Sequence, residues 1–134
     1  MSTFAVTGSA SGIGAACMDR LRAAGHRTIG LDKTNADVAA DLSTAEGRTY
    51  AVDSVRRACD GVLDGVVACA GLGPLSGLPG GLLAAVNYFG AVQFLGLAST
   101  SGKSMNRTLV RGTDNFLGAS IAEPTAFSGT RAWR

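Results

Sequence analysis

The stretch TFAVTGSASGIGAACMDRLRAAGHRTIGLD, residues 3–32, decides the fold. Its apolar and β-branched start, 3–6, predicts a strand, and a glycine-rich turn follows at once. A helical pattern then runs to residue 24, with apolar residues at helical spacing on one predicted face, namely Ile13, Cys17, Leu21 and Ala24. Gly25 predicts the end of the helix, and 27–31 is a second apolar run that ends at Asp32. The order is therefore strand, tight turn, helix, strand and acid.

The three glycines of that turn suit an anion-binding site. Gly8 can adopt backbone angles closed to other residues, so the chain can turn sharply out of the strand. Gly12 and Gly14 carry no side chain, so a pyrophosphate can approach the N–H groups and the positive dipole end of the helix. Asp32 follows Gly14 by 18 residues, close to the spacing at which a carboxylate meets the ribose of a dinucleotide. We therefore predict a dinucleotide site, with a purely structural turn as the alternative.

The residues after Asp32 continue the alternation of strands and helices. Runs at 38–42 and 63–70 predict two further strands, and between them Ser43 and Glu46 form a predicted capping box with Ser43 as the N-cap. The helix that they open carries an apolar stripe made of Ala51, Val55, Ala58 and Val62. The fold class is therefore α/β, a partial Rossmann (doubly wound) parallel sheet of about four strands with flanking helices.

The predicted carboxyl ends of the strands point to one ligand crevice. Ligands of such sheets bind beyond these ends. The residues there are the glycine loop, Asp32, the pair Asp41-Leu42 and the triplet Cys69-Ala70-Gly71. Their convergence is a second reason to predict a nucleotide site.

Composition limits the other function classes. The chain has 134 residues, 46% of them hydrophobic and 16% charged, which fits one globular domain. A net charge of +2 gives no support for a nucleic-acid partner. The uncharged helix candidate at 82–98 is short for a membrane span, which needs about 20 apolar residues. Three widely spaced cysteines do not form a zinc motif, so no metal is predicted, and reduced thiols favour a cytoplasmic setting.

The sequence resembles the short-chain dehydrogenase/reductase family over residues 3–95. TGSASGIG at 7–14 matches the family's TGxxxGIG loop, and Asp41-Leu42 matches its adenine-contacting pair. Cys69-Ala70-Gly71 keeps the Ala-Gly of the family's Asn-Asn-Ala-Gly, and Asn87 falls at the family's helix asparagine. Segments 41–48, 70–74 and 86–91 resemble the bacterial hydroxysteroid dehydrogenase/carbonyl reductase members.

The resemblance implies an oxidoreductase that transfers a hydride between NAD(P) and an alcohol or ketone, with hydroxysteroids and other carbonyl compounds among the substrates. It implies a role for Asn87 in the catalytic proton relay. Asp32 would repel a 2′-phosphate, so NAD is favoured over NADP, although Lys33 beside it weakens the distinction. The implied cofactor-binding residues are Gly8, Ser11, Gly12, Ile13, Gly14, Asp32, Lys33, Asp41, Leu42, Cys69, Ala70 and Gly71.

The family's catalytic machinery has no match in this sequence. Its reaction needs a serine and a tyrosine acid/base with a lysine four residues later. Tyr50 and Tyr88 are the tyrosines, and the residues four positions on are Ser54 and Val92. Residues 1–97 are therefore predicted to be a dinucleotide-binding half-domain and 98–134 an irregular or disordered tail, as in a truncated or frame-shifted product. Low activity is expected of such a chain.

A missing C-terminal half has consequences for association. The fourth strand would be left as an open edge, and the uncharged helix at 82–98 would lose its cover, so self-association is expected. Two alternatives stay open beside the inactive dinucleotide-binding domain. One is a non-catalytic nucleotide-binding or interaction module, and the other is an enzyme completed by another chain.

Overall fold

The computed structural model describes residues 1–73, 77–99, 108–110 and 120–121, which form an α/β fold. The strands are β1 (Thr3–Thr7), β2 (Arg27–Asp32), β3 (Val38–Ala39), β4 (Gly65–Ala68), β5 (Thr108–Val110) and β6 (Ser120–Ile121). The helices are α1 (Gly12–Ala23), α2 (Ala45–Ala58), α3 (Gly80–Ala84) and α4 (Ala91–Ser99), and a π-helical segment (Ala85–Gly90) joins α3 to α4.

The strands lie in the order β3-β2-β1-β4-β5-β6. All described pairs are parallel except β5 with β6, which is antiparallel. Strand β1 is central, with Ala5 opposite Ile29 on one side and Val66 on the other. The chain builds outward from β1 to β3 and then returns to the other side of β1, so a topological switch point lies between β1 and β4. The predicted parallel sheet of four strands with flanking helices is confirmed.

Each face of the sheet has its own apolar cluster because neighbouring residues of a strand point to opposite faces. The α1 face buries Val6, Met18 and Val67. The α2 and α4 face is larger, and its buried residues are Ala5, Ile29, Leu31, Val38, Ala40, Leu42, Ala51, Val55, Cys59, Leu63, Val66 and Phe94.

The buried face of α1 agrees only in part with the predicted one, because Cys17 and Leu21 pack against the α1-face cluster but Ile13 does not. Gly14 and Met18 are its buried residues, whereas Ile13 is 47% exposed. Met18 and Gly14 are i, i+4 neighbours, so they share the face that approaches the sheet. Apolar periodicity selected Cys17 and Leu21 but not Gly14, whose close approach to Gly8 needs no side chain.

The N-cap of α2 is Thr44, so the prediction of Ser43 was wrong by one residue. Thr44 Oγ1 accepts a hydrogen bond from the Gly47 backbone N–H at 3.0 Å. A Cβ on Gly47 would collide with the Asp41 carbonyl oxygen, so the loop closes tightly on the helix start. Ala51 and Val55 of the predicted stripe are buried, and Val62 lies beyond the end of the helix.

The remaining strands and helices are of the predicted type, but they begin or end at residues other than the predicted ones. Strands β3 and β4 are shorter than the predicted 38–42 and 63–70. The helix predicted at 82–98 begins at Gly80 and is interrupted by the π-helical segment. Within the described ranges, no helix is both long and apolar enough to cross a bilayer.

Strand β4 is not the open edge that the sequence predicts. Strand β5 pairs with it in parallel, Val67 opposite Leu109 and Ala68 opposite Val110. Both β5 and β6 come from the segment predicted to be irregular, so that expectation was wrong for these five residues. The rest of the prediction for 98–134 lies outside the described residues, apart from the end of α4.

Candidate dinucleotide site

The glycine loop between β1 and α1 can be built only with glycine at its two contact points. Gly8 has a φ of +69°, and a Cβ there would lie 2.8 Å from the Ala70 backbone nitrogen. A Cβ on Gly14 would collide with the Gly8 carbonyl oxygen. These contacts bring the start of α1, the end of β1 and the loop after β4 together at the switch point.

The N-terminus of α1 is open to an anion. Ser11 is the N-cap, but its side chain makes no capping hydrogen bond, and the first turn carries no acidic residue. The first N–H groups of a helix have no partner within the helix. Gly12 has a φ of +52°, and a Cβ on it would meet no protein atom within 4 Å. The space beside Gly12 is therefore not filled by another part of the protein, which leaves room for an anion at this end of the helix.

Asp32 lies against the glycine loop, as the sequence predicts. Its Oδ2 accepts a hydrogen bond from the Ala10 backbone N–H at 3.0 Å, and its Oδ1 accepts one from the Lys33 N–H at 2.7 Å. These bonds hold the carboxylate at the tip of β2. Each oxygen keeps a second lone pair, so both can still accept hydrogen bonds from ribose hydroxyls.

Lys33 and Asp41 form an ion pair with an Nζ–Oδ2 distance of 3.0 Å. Asp41 Oδ1 also accepts the Ser43 backbone N–H at 2.9 Å. Hydrogen bonding by Ser43, followed by the contact with Lys33, lowers the pKa of Asp41 from 3.8 to about 2. The lysine charge beside Asp32 is therefore already balanced by a carboxylate.

The loop after β4 is held by Thr7, which sequence reasoning did not select. Its side chain is buried, and its Oγ1 accepts the N–H groups of Cys69 at 3.1 Å and Ala70 at 3.0 Å. The signal was present as a hydroxyl residue directly before the glycine loop. Its partners lie more than sixty residues away, so only the fold identifies them.

Asn87 binds the same loop from the opposite side. Its Oδ1 accepts the Leu72 N–H at 2.7 Å, and its Nδ2 donates to the Leu72 carbonyl at 3.0 Å. The side-chain amide is thus paired with one backbone residue. It fixes the chain that follows Gly71, and its place in the π-helical segment fits the frequent occurrence of such bulges at functional sites.

The other predicted residues divide into buried and accessible groups. Leu42 is buried, and Gly90 of the π-helical segment lies beside it. Cys69 is half-buried and packs against the α1-face cluster of Val6, Met18 and Val67. Ala70 and Gly71 are half-buried, and Ser11, Gly12 and Ile13 are exposed beside the loop.

The two tyrosines take no part in this arrangement. Tyr50 lines a cavity of about 580 Å³ between α2 and β3, together with Ser54 and Arg57. Tyr88 is 51% exposed and makes an edge contact with the Phe89 ring, with centroids 5.2 Å apart. Among the described residues, no group of three His, Cys, Asp or Glu side chains is placed to hold a metal ion.

Comparison with known proteins gives no matching family model but does give clear relatives. The 3-alpha-hydroxysteroid dehydrogenase/carbonyl reductase of Comamonas testosteroni is 48% identical over 95 residues, which are 71% of this chain and 37% of that protein. The 3-alpha-hydroxysteroid dehydrogenase of Pseudomonas sp. B-0831, solved as a complex with NADH, is 50% identical with a TM-score of 0.68. That match covers 75% of this chain and 42% of the Pseudomonas chain.

A more distant structure agrees with these two. A short-chain dehydrogenase/reductase from Brucella ovis is 25% identical, with a TM-score of 0.65 over 75% of this chain and 56% of its own. The chain thus spans about two fifths of the length of the two hydroxysteroid dehydrogenases. Over its matched part, the chain belongs to the short-chain dehydrogenase/reductase family.

Proposed function

We propose that this chain binds NAD at the switch point between β1 and β4 and transfers no hydride efficiently by itself. The pyrophosphate lies on the N–H groups that open α1, and Asp32 accepts the hydroxyls of the adenosine ribose. Asp41 and Leu42 flank the adenine, and Cys69, Ala70 and Gly71 border the ribose next to the nicotinamide. The NADH bound by the Pseudomonas relative supports this choice of cofactor.

One observation carries the proposal: the open helix N-terminus with the Asp32 carboxylate fixed beside it. Ala10, inside the glycine loop, donates its N–H to Asp32 at 3.0 Å. A carboxylate at this position can bind the ribose of the same nucleotide whose pyrophosphate meets the helix N-terminus. A glycine turn with a purely structural role would need neither the fixed acid nor the free space at Gly12.

NAD is preferred over NADP because of charge. A 2′-phosphate would stand next to the Asp32 carboxylate, and like charges at this distance repel. Lys33 offers little compensation because its Nζ is 3.0 Å from Asp41 Oδ2. An NADP site would need a cation free to meet the additional phosphate.

The low hydride-transfer activity follows from the residues available. A tyrosine acid/base needs a nearby cation that lowers its pKa toward working pH. Neither Tyr50 nor Tyr88 has a lysine four residues later. Loss of general acid–base help costs about 10²–10⁴ in rate. The relatives are named as a 3-alpha-hydroxysteroid dehydrogenase/carbonyl reductase and a 3-alpha-hydroxysteroid dehydrogenase. Alcohols or ketones of these classes are the substrates that we propose for a completed active site.

Two substitutions of glycine by alanine test the cofactor site directly. In Gly12→Ala the new methyl group stands in the free space before the α1 N-terminus. Gly61→Ala is the matched control because Gly61 also has a positive φ, +73°, and open space around its Cβ position. Both variants should lose about 1–2 kcal/mol of stability through backbone strain.

Calorimetric titration with NAD separates their effects. We expect Gly12→Ala to raise the dissociation constant at least about tenfold, equivalent to about 1.4 kcal/mol, and Gly61→Ala to leave it unchanged. No NAD binding by the parent chain, or equal affinities of the two variants, would contradict the proposal. NADH oxidation with steroid ketones, measured in parallel, should stay at background.

We also propose that the chain self-associates through the helix that carries Asn87. Tyr88, Phe89 and Val92 are each about half exposed there. The route through an open β4 edge is excluded since β5 covers that edge. Light scattering after gel filtration should give a mass above that of one chain, and Phe89→Glu should lower it. A cytoplasmic setting, in which thiols stay reduced, is consistent with the three cysteines, Cys17, Cys59 and Cys69, which form no disulfide.

A further inference from the structure

Arg48, on the first turns of α2, contacts three separate parts of the molecule. Its Nε donates to Gln93 Oε1 at 2.8 Å, and its Nη1 donates to the Leu42 carbonyl at 3.0 Å. Its guanidinium carbon lies 5.8 Å from the centroid of the Phe89 ring, within the range of a cation–π contact. A surface arginine with no function would be expected to make fewer specific contacts.

The contacts of Arg48 connect two loops of the proposed site. Leu42 belongs to the adenine end of the proposed site, and its side chain is buried. Gly90 lies beside it, since a Cβ built on Gly90 would be 3.6 Å from the Leu42 side chain. Gly90 closes the π-helical segment, and Asn87 in the same segment holds Leu72 through two hydrogen bonds. The helix is therefore tied to the adenine-end loop and to the loop after β4.

We propose that Arg48 is a positioning residue for the dinucleotide site. Its guanidinium sets the distance between the Leu42 loop and the helix that carries Asn87, so that both ends of one extended nucleotide meet preformed contacts. This inference rests on the proposed binding of NAD. The ligand class that it concerns is adenine nucleotides joined to a second ribose, of which ADP-ribose is the simplest.

The geometry requires arginine rather than any cation. Nε and Nη1 point to different acceptors, Gln93 and Leu42, and the flat group faces Phe89 at the same time. Lysine has a single ammonium group and cannot reproduce this planar fork. Arg48→Lys should therefore behave like Arg48→Met.

The test compares these variants with a core variant of the same helix. Val55→Ala removes buried volume from α2 about two turns beyond Arg48 and removes none of the guanidinium contacts, so it lowers the melting temperature while Arg48 keeps its partners. Affinity for ADP-ribose is measured by calorimetry at a temperature at which circular dichroism shows every variant to be folded. We expect about a tenfold weaker affinity for Arg48→Met and Arg48→Lys, and no change for Val55→Ala.

Gln93→Leu adds a variant that leaves Arg48 and Leu42 in place. It should weaken ADP-ribose binding by a smaller factor, and the double variant Arg48→Met/Gln93→Leu should be no weaker than Arg48→Met alone. Parent-like affinity in Arg48→Met would overturn the inference, and so would an equal loss in Val55→Ala.

A ligand-free measurement separates this inference from the proposed function. The Leu72 amide donates to Asn87, so its hydrogen exchange reports how the helix sits on the loop. Exchange at Leu72 should accelerate in Arg48→Met more than in Val55→Ala. A parent chain that binds neither NAD nor ADP-ribose refutes the proposed function. Unchanged exchange at Leu72 overturns the positioning role whether or not the ligand binds.

Discussion

The glycine loop after β1 and the loop after β4 meet at one site but are held in different ways. The glycine loop is fixed by backbone packing, with Gly8 against Ala70 and Gly14 against Gly8. The loop after β4 is fixed by side-chain hydrogen bonds from Thr7 on one side and Asn87 on the other. At Gly8 and Gly14 the glycine loop has no room for added atoms, whereas the loop after β4 can lose its hydrogen bonds one at a time.

The largest effect should come from Gly14→Ala. The added methyl group collides with the Gly8 carbonyl oxygen, and neither backbone can yield without separating α1 from β1. We expect a loss of about 3 kcal/mol or more in the free energy of unfolding, measured with urea. Gly81→Ala is the control, since a Cβ there meets no atom within 4 Å and lies in a helix. Equal stability of the two variants would show that the loop tolerates side chains.

Thr7→Val should have an intermediate effect because it removes only the hydroxyl. The N–H of Ala70 loses its acceptor in a partly buried position, whereas the N–H of Cys69 keeps its bond to the Thr7 carbonyl. The expected cost is about 1–3 kcal/mol in unfolding free energy, with weaker NAD binding. Thr49→Val on the exposed side of α2 is the control. A parent-like Thr7→Val would mean that the loop after β4 is held by packing, as the glycine loop is.

The smallest effect should be on stability at acid pH, through Asp41. Because its folded pKa of about 2 lies below the ordinary aspartate pKa of 3.8, Asp41 stabilises the fold above about pH 4. That contribution is lost as the pH falls toward 2, and it is small because the side chain is 39% exposed. Urea unfolding between pH 5 and pH 2 should show a steeper loss of stability in the parent than in Asp41→Asn. Identical pH profiles would exclude a stabilising role for the Lys33–Asp41 pair.

The type and order of the first strands and helix could be predicted from short stretches of sequence. The strand–turn–helix–strand order of residues 3–32 could be read from apolar runs and glycines, and Asp32 lies where its spacing placed it. Predictions were wrong where two neighbouring residues both satisfied the same local rule. Ser43 and Thr44 are both good caps; the helix uses Thr44, and the residue that it caps, Gly47, packs against the Asp41 carbonyl.

The residues that join distant parts of the chain could not be found in this way. Thr7 acts on Cys69 and Ala70, and Arg48 acts on Gln93, so their partners are separated by 45 to 63 positions. The pairing of β5 with β4 is a similar case, since three residues carry too little periodicity to predict a strand. Sequence patterns report the face that an element presents, not the element that it meets.

The sequence by itself determined the class of fold, the glycine turn and the acid beside it, because glycine conformation and apolar periodicity are properties of short segments. Only the tertiary structure decided which side chains hold the site together. Thr7 and Asn87 bond to backbone atoms, and Arg48 bonds to the Gln93 side chain, which sheet order and helix packing bring near. Such contacts depend on distances between segments, and the chain acquires these distances only when it folds.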